Sequence, residues 1–529
     1  MSTTAIISIP MLICFFGLML AVGFYCRRHA TNVDGFVLGG RAVGPWLTAF
    51  AFGTSYFSAV IFVGYAGQFG WNFGLASTWI GLGNAFIGSL LAWQVLGRRT
   101  RVMTQHLGSR TMPDFFEKRY DSKKLKVVAS FIVFVFLIPY TASLYNGLSS
   151  LFNNVFNIPY WVVVVVMAVL TGVYVIFGGY MATAINDFIQ GIIMLVGITA
   201  VIIAVLMQNG GFTEAVATLG KSEGAEYISM FGPNPIFLFF VVMLTSLGTW
   251  GLPQMVGKFY SIKDEGSIKK GTIISTFFAI IVAGGCYFLG GFGKLYKGEM
   301  IAAGFHNPET GATIFDKVIP TMLSELAPVI VAIIIVLVLA ASMSTLSSLV
   351  LTSSSTLTLD VVKPAMERKK EVSEKKSVLI LRLFILFFVA VSAVIAILKD
   401  TVWKDSVFIA QMMGVSWGAL AGAFLAPFLY GLYWKKTTRA AVVASFIFGC
   451  GLEIVQLLIS IKLFSVAEIP VLGFVFTNSL YSGVFAMVGG LILVPIVSLF
   501  TQKSKPENVD EKFSCYDAVV VTSKKDSLG

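Results

Sequence analysis

In the run VLAASMSTLSSLVLTSSS (338–355), Ala341, Ser344, Thr345 and Ser348 stand at i, i+3, i+4 and i+7, so a helix carries them on one face. Hydroxyl and carbonyl oxygens are hard ligands. A set without carboxylates suits a partly dehydrated monovalent cation better than Ca²⁺, which favours several carboxylates. Hydrogen bonding between helices would use the same face. Two other segments mix glycine with hydroxyls or proline. WLTAFAFGTSYFSAVIFVGYAG (46–67) has Gly53-Thr54-Ser55 near its middle, and FVVMLTSLGTWGLPQMVGKF (240–259) has Gly248, Gly251 and Pro253. Glycine lowers helix propensity and proline removes a backbone hydrogen bond, so both segments are predicted to be broken helices. Small-residue packing of the GxxxG type is the alternative for either one alone. Asp187, in GGYMATAINDFIQGIIM (178–194), is an acid at the mouth of an apolar run. It is either functional, with a partner to be found, or a helix-start residue. Glu453 is the other intramembrane acid and is assigned a peripheral packing or interfacial role.

These residues must be positioned by helices in lipid. Of 529 residues, 57% are hydrophobic and only 12% are charged, with a mean hydropathy of +0.84. A soluble domain carries about 25% charged residues, so soluble enzymes, secreted scaffolds and disordered proteins are excluded. Thirteen apolar segments lie between residues 4 and 500, each near the length of about 20 residues that a spanning helix needs. The first lacks a basic leader and an A-x-A site, so it is read as a helix and not as a cleaved signal peptide. With the N-terminus outside, 31 of the 38 basic residues fall on the cytoplasmic side, Lys258 among them in a loop at 258–270. The net charge of +11 therefore marks orientation, and no nucleic-acid partner is inferred. The five cysteines form no CxxC pair and the three histidines fall in hydrophilic loops, which argues against disulfide frameworks, zinc sites and intramembrane metalloenzymes.

The predicted organisation is a first helix and loop (1–45), a five-helix unit (46–208), an external loop (209–233), a second five-helix unit (234–432), two further helices (433–500) and a disordered cytoplasmic tail (501–529). In the basic loop 97–126, DFFEKRY after Pro113 reads as a solvated connector or as a short interfacial helix. Because each unit has an odd number of spans, the two units have opposite orientation. Paired discontinuous helices in such halves point to a transporter with its site at the midplane.

The motifs FVLGGRAVGPWLTA (36–49), the Gly53–Ser58 break, FGGYMATAINDFIQG (177–191), GLPQMV (251–256) and AASMSTLSS (340–348), in this order and spacing, resemble the sodium:solute symporter family over roughly residues 1–500. The proline and pantothenate branch is the most similar. The resemblance implies an all-α LeuT-type 5+5 inverted-repeat core with one helix before it and two after. It implies a sodium site built from the carbonyls of Thr54, Phe57 and Ala341 with the hydroxyls of Ser344 and Thr345. A second sodium, as in sialic acid carriers, would be held by Ser344, Ser347, Ser348 and Asp187. For the solute, Tyr140 matches a substrate-contacting tyrosine of the proline carrier and Ser58 a serine that affects its affinity. Thr245 and Tyr56 depart from that carrier's tryptophan and acidic residue, which counts against proline itself. No Lys or Arg lies within 127–155, so the arginine that holds a sialic acid carboxylate is missing. Freed N–H groups around Gly53–Ser55 suit a carboxylate, with Ser55 and Tyr56 at the break and Trp250 and Gln254 flanking the cavity. Packing and capping are equal alternatives for these last two.

The expected function is sodium-coupled symport of a small organic solute (an amino acid, a short carboxylate or a vitamin-like carboxylate) into the cell by alternating access. Sodium is the coupling ion and the lipid bilayer the setting, a bacterial inner membrane, with no obligate protein partner. A proton-coupled or sodium-independent carrier of the same fold is the alternative. A channel would need a continuous polar stripe or a filter loop, and a membrane enzyme a clustered catalytic set; neither pattern is present in the sequence.

Overall fold

Lipid offers no hydrogen bonds to the backbone, so an apolar chain of this kind satisfies its amides within helices. The computed structural model describes residues 3–517 except 56, 157, 369, 403–408, 462, 464, 467 and 468, and these are almost entirely helical. The first half contains α1 (Thr3–Cys26), α2 (Pro45–Thr54), α3 (Met112–Tyr120), α4 (Lys123–Phe156) and α5 (Tyr160–Gln208). The second half contains α6 (Pro235–Leu247), α7 (Pro253–Tyr260), α8 (Glu265–Ala279), α9 (Pro328–Thr356), α10 (Glu374–Val402) and α11 (Ile409–Tyr433). After it come α12 (Arg439–Ser460), α13 (Ser479–Phe500) and the short α14 (Val509–Ser514).

Among the described residues, ten helices are long and apolar enough to span a membrane, or eleven if the bent pair Pro235–Gly251 and Pro253–Tyr260 is counted as one span. The expected count of thirteen is therefore not reached by length and apolarity alone. Two of the ten run for 47 and 49 residues. At 1.5 Å per residue the longer covers about 73 Å, over twice the ~30 Å of a bilayer core. Each contains one glycine that leaves helical geometry: Gly74 (φ 60°, ψ −139°) in the first and Gly179 (φ 55°, ψ −146°) in the second. Thirteen segments result only when each long run is taken as two crossings.

The hydroxyl-bearing α9 is central. Every residue from 334 to 351 is buried, so the middle of the helix presents no lipid-facing side, and it packs against α1, α4, α5 and α10. At the other extreme α11, α12 and α13 pack on one another. Their axes approach so closely that a Cβ on Gly449 would lie 2.3 Å from the Gly422 carbonyl carbon, and one on Gly422 2.6 Å from the Ala486 Cβ. Glu453 is fully buried against this block, beside Gly418.

Of the two readings for the basic loop, the helix is observed. Thr111 caps α3 by accepting from the Asp114 amide, and buried Arg119 donates to the carbonyls of Gly431 and Trp434. The tail corrects an expectation. Residues 501–517 pack against the end of the bundle that carries the basic loop 97–126, with Val509 and Phe513 buried. Lys512 pairs with Asp121 at 2.5 Å, Asp510 with Lys435 at 2.6 Å, and the Arg99 guanidinium stacks on Tyr433 and Tyr516. Polar composition concealed an i, i+4 apolar pair that is long enough to dock. Residues 518–529 lie outside the described residues.

Gly179 leads the chain into the segment that carries Asp187, and its φ/ψ region is essentially reserved for glycine. A Cβ there would also lie 2.7 Å from the Phe36 carbonyl oxygen. Gly179→Val is expected to cost at least about 1–3 kcal/mol, read as a lower melting midpoint and lower yield of folded protein in detergent. An unchanged midpoint would show that the break does not need glycine.

Candidate functional site

Local chemistry ends α2 where the sequence placed the break. Thr54 Oγ1 donates to the Phe50 carbonyl at 2.8 Å and Ser55 Oγ to the Ala51 carbonyl at 2.5 Å, side-chain bonds that compete with helix continuation. Gly53 admits the Phe278 ring, which would lie 2.5 Å from a Cβ. The chain leaves the helix through Phe57 and Ser58 and resumes as a π-helical turn, Val60–Tyr65. The carbonyls of Thr54 and Phe57 are thereby released toward α9.

All five residues expected to form the sodium site meet there. Ser344 Oγ lies 3.2 Å from the Thr54 carbonyl oxygen and 3.0 Å from that of Ala341. Thr345 Oγ1 lies 3.1, 3.3 and 3.2 Å from the carbonyl oxygens of Thr54, Phe57 and Ala341. A hydroxyl has one proton, so two protons serve five oxygens and the set is rich in lone pairs. Six oxygens around an ion at about 2.4 Å, a usual distance for hard cations of this size, lie about 3.4 Å apart. The observed spacing needs to expand by only a few tenths of an ångström. No carboxylate belongs to this set, so its charge balance favours a single positive charge.

The expected inner set is different, and here the sequence reading is corrected. Lys258, assigned to a cytoplasmic loop, is buried with its side chain only 4% exposed. Its Nζ donates to Ser348 Oγ at 3.0 Å and to Asp187 Oδ2 at 3.4 Å, and it lies 5.3 Å from the centre of the Tyr180 ring. Ser348 Oγ is also 2.9 Å from Ser55 Oγ, while Ser347 Oγ donates to the Ser344 carbonyl within its own helix at 2.9 Å. The partner of Asp187 is thus a lysine. A second monovalent cation about 4 Å from that ammonium would be repelled by about 4 kcal/mol at an effective dielectric of about 20. Asp187, Ser347 and Ser348 do not present a free cage for a second sodium in this arrangement. The sequence signal was the i, i+4 spacing of Gln254 and Lys258 on the helix that restarts at Pro253.

The solute candidates divide. Tyr140 and Ser58 are fully buried and face each other and Trp417, whose ring centre is 5.9 Å from that of Tyr140. Among the described residues, Tyr140 Oη, Ser58 Oγ and Trp417 Nε1 form no well-aligned hydrogen bond, so three polar groups converge in an apolar wall. Trp417 was not anticipated, because a single tryptophan in an apolar run carries no periodic signal. Trp250 donates its indole N–H to the Ile87 carbonyl at 3.0 Å, so its polar edge is committed to packing, the alternative weighed for it. The Gln254 side-chain amide has no hydrogen-bond partner among the described residues and lines, with Gly257, Lys258 and Ser355, a cleft that reaches Arg110 and Met112. Ser55 is committed to Ala51 and Ser348. Tyr56 lies outside the described residues.

Comparison with known proteins places this geometry. The model of the sodium:solute symporter family matches residues 36–449. A sodium/proline symporter of Staphylococcus aureus is 29% identical over 504 residues, covering 93% of this chain and 92% of that protein. Among solved structures, a Na+-coupled sialic acid symporter in a substrate-bound outward-open state superposes with a TM-score of 0.75 at 18% identity, over 93% of this chain and 97% of the other. A manganese transporter of Eremococcus coleocola superposes with a TM-score of 0.50 at 12% identity, over 87% of this chain and 95% of the other. These likenesses establish the shared fold.

Trp250→Phe retains the ring and removes the donor to Ile87. The expected result is a loss of about 0.5–1.5 kcal/mol in stability, measured by thermal unfolding, with the cation concentration for half-maximal uptake unchanged. A shift of that concentration would return Trp250 to the binding site.

Proposed function

The chain belongs to the sodium:solute symporter family, and on that premise we propose that Thr54, Phe57, Ala341, Ser344 and Thr345 bind its coupling sodium and that Ser58, Tyr140 and Trp417 face its solute. The protein is a multi-pass membrane transporter that moves a small organic solute together with sodium. The observation that carries the site assignment is the cluster of five oxygens sharing two protons, built from a helix break and a fully buried helix.

The solute read from this site is a small amino acid or short carboxylate. Its carboxylate would take the amides freed at the first break, and its body would lie against the Tyr140 and Trp417 rings. The S. aureus relative, a sodium/proline symporter, supports a solute of that size. Residues 46–208 and 234–432 serve as the two inverted halves, with the N-terminus outside, the basic loops and tail in the cytoplasm, and a bacterial cell membrane as the location. Sodium bound between α2 and α9 would hold the first break against the central helix and complete the solute site. Its release to the inside would let them part.

The driving force is adequate. An inside-negative potential of 100 mV contributes about 2.3 kcal/mol per charge and a tenfold sodium gradient about 1.4 kcal/mol. Their sum of about 3.7 kcal/mol supports roughly 500-fold accumulation of a zwitterion per sodium.

Proteoliposomes loaded with potassium and offered labelled amino acids and short carboxylates provide the test. Uptake of at least one solute is expected with an inward sodium gradient and not with choline. Thr345→Ala should raise the half-saturating sodium concentration about 10- to 100-fold, the equivalent of a charged hydrogen bond of ~1.5–3 kcal/mol, and Thr345→Ser should restore it. Uptake driven by a proton gradient without any sodium requirement would overturn the reading.

A further inference from the structure

Beyond the outer oxygen cluster, one group stands out: Lys258, a buried lysine whose ammonium meets a carboxylate and a serine hydroxyl. Lys258 projects from α7, the inner half of the second broken helix, into the junction of α2, α5 and α9. There it completes a continuous chain of polar contacts, Ser55 Oγ to Ser348 Oγ at 2.9 Å, Ser348 Oγ to Lys258 Nζ at 3.0 Å, and Nζ to Asp187 Oδ2 at 3.4 Å. The Tyr180 ring lies on the same ammonium, and Asp187 Oδ1 has no hydrogen-bond partner among the described residues. Asp187 and Lys258 neutralise each other, which is how a buried carboxylate is accommodated at membrane depth. Ser348 is one turn from Ser344, so this chain abuts the outer oxygen set.

We propose that Lys258 is a tethered cation that occupies the inner ion position, so that this transporter binds one sodium where the same oxygens without the lysine would bind two. The inference rests on the sodium reading of the outer cluster and extends it to the number of ions. A carboxylate with hydroxyls is a hard-oxygen set that accepts either an ammonium or a metal ion. The ammonium is covalently attached at hydrogen-bond distance, so its local concentration exceeds any dissolved sodium. Because the lysine never leaves, the inner position contributes no ion to the gradient-driven step. The solute gradient then follows the first power of the sodium gradient. The tether also joins the two broken helices through side chains alone, Ser55 on one side of Ser348 and Lys258 on the other.

Equilibrium binding of radioactive sodium to the purified full-length protein in lipid nanodiscs tests this without a solute. Wild type is expected to bind one sodium per chain, Lys258→Met two, and the double variant Asp187→Asn/Lys258→Met one. Aminoethylation of K258C, which restores an ammonium, should return the count to that of wild type. A wild type that binds two ions, or a folded Lys258→Met that binds no more than wild type, overturns the inference. Should the variants prove too unstable to purify, the wild-type count decides between one and two. Failure of the underlying reading looks different: wild type then binds no sodium at all, while the gain of an ion on removing Lys258 still measures the inner position.

Discussion

A backbone carbonyl that leaves its helix at bilayer depth has no water to turn to, and this constraint organises the molecule. Breaking α2 at Thr54 releases carbonyls that several kcal/mol of desolvation would otherwise forbid. They persist because α9 brings two hydroxyls within 3.3 Å of them. The requirement works in both directions. A helix that supplies hydroxyls to a broken neighbour cannot also face lipid on that side, and α9 is enclosed throughout its middle. Around it stand α1, α4, α5 and α10, whose outer faces carry the apolar residues exposed to the bilayer.

The oxygen cluster proposed for sodium was legible in the sequence as a meeting of groups because its two components are local patterns. Ala341, Ser344 and Thr345 are fixed relative to one another by helical periodicity, and a glycine beside two hydroxyls marks a break wherever it lies. The family-like order of motifs then supplied what periodicity cannot, the pairing of the break with that helix. Lys258 was illegible for a physical reason. A lysine at the end of an apolar run is ordinarily a topology marker, since its long stem lets the charge reach the interface. Only the restart of the helix at Pro253, which directs residue 258 inward, reverses that assignment. The solute side was half visible. Tyr140 and Ser58 could be placed by resemblance, but the contribution of Trp417 depends on how α11 packs on α4. Likewise the tail reads as polar overall, and its docking depends on Val509 and Phe513 alone.

The two clusters differ in the kind of positive charge they suit. The outer one offers neutral oxygens with surplus lone pairs, so an ion can enter and leave at modest cost. The inner one holds a formal negative charge against a formal positive one, an arrangement that is strongly destabilised when either partner is removed alone, by about 3–5 kcal/mol in buried pairs. One cluster is suited to exchange and the other to permanence. Their adjacency on successive turns of α9 means that an ion held in the outer cluster would feel a fixed electrostatic neighbour.

The closeness of Gly422 and Gly449 has its own mechanical consequence. Where backbone rests on backbone there are no rotamers to change, so α11 and α12 have no graded way to slide past each other. Such a contact behaves as a keel, stiff in every direction except complete separation. The junction of α2 with α9 is of the opposite kind, since a hydroxyl can pass its proton from one carbonyl to the next without losing a bond. A displacement between inward- and outward-accessible forms would meet least resistance at the oxygen-lined seam, with the glycine-packed helices as the frame against which it moves.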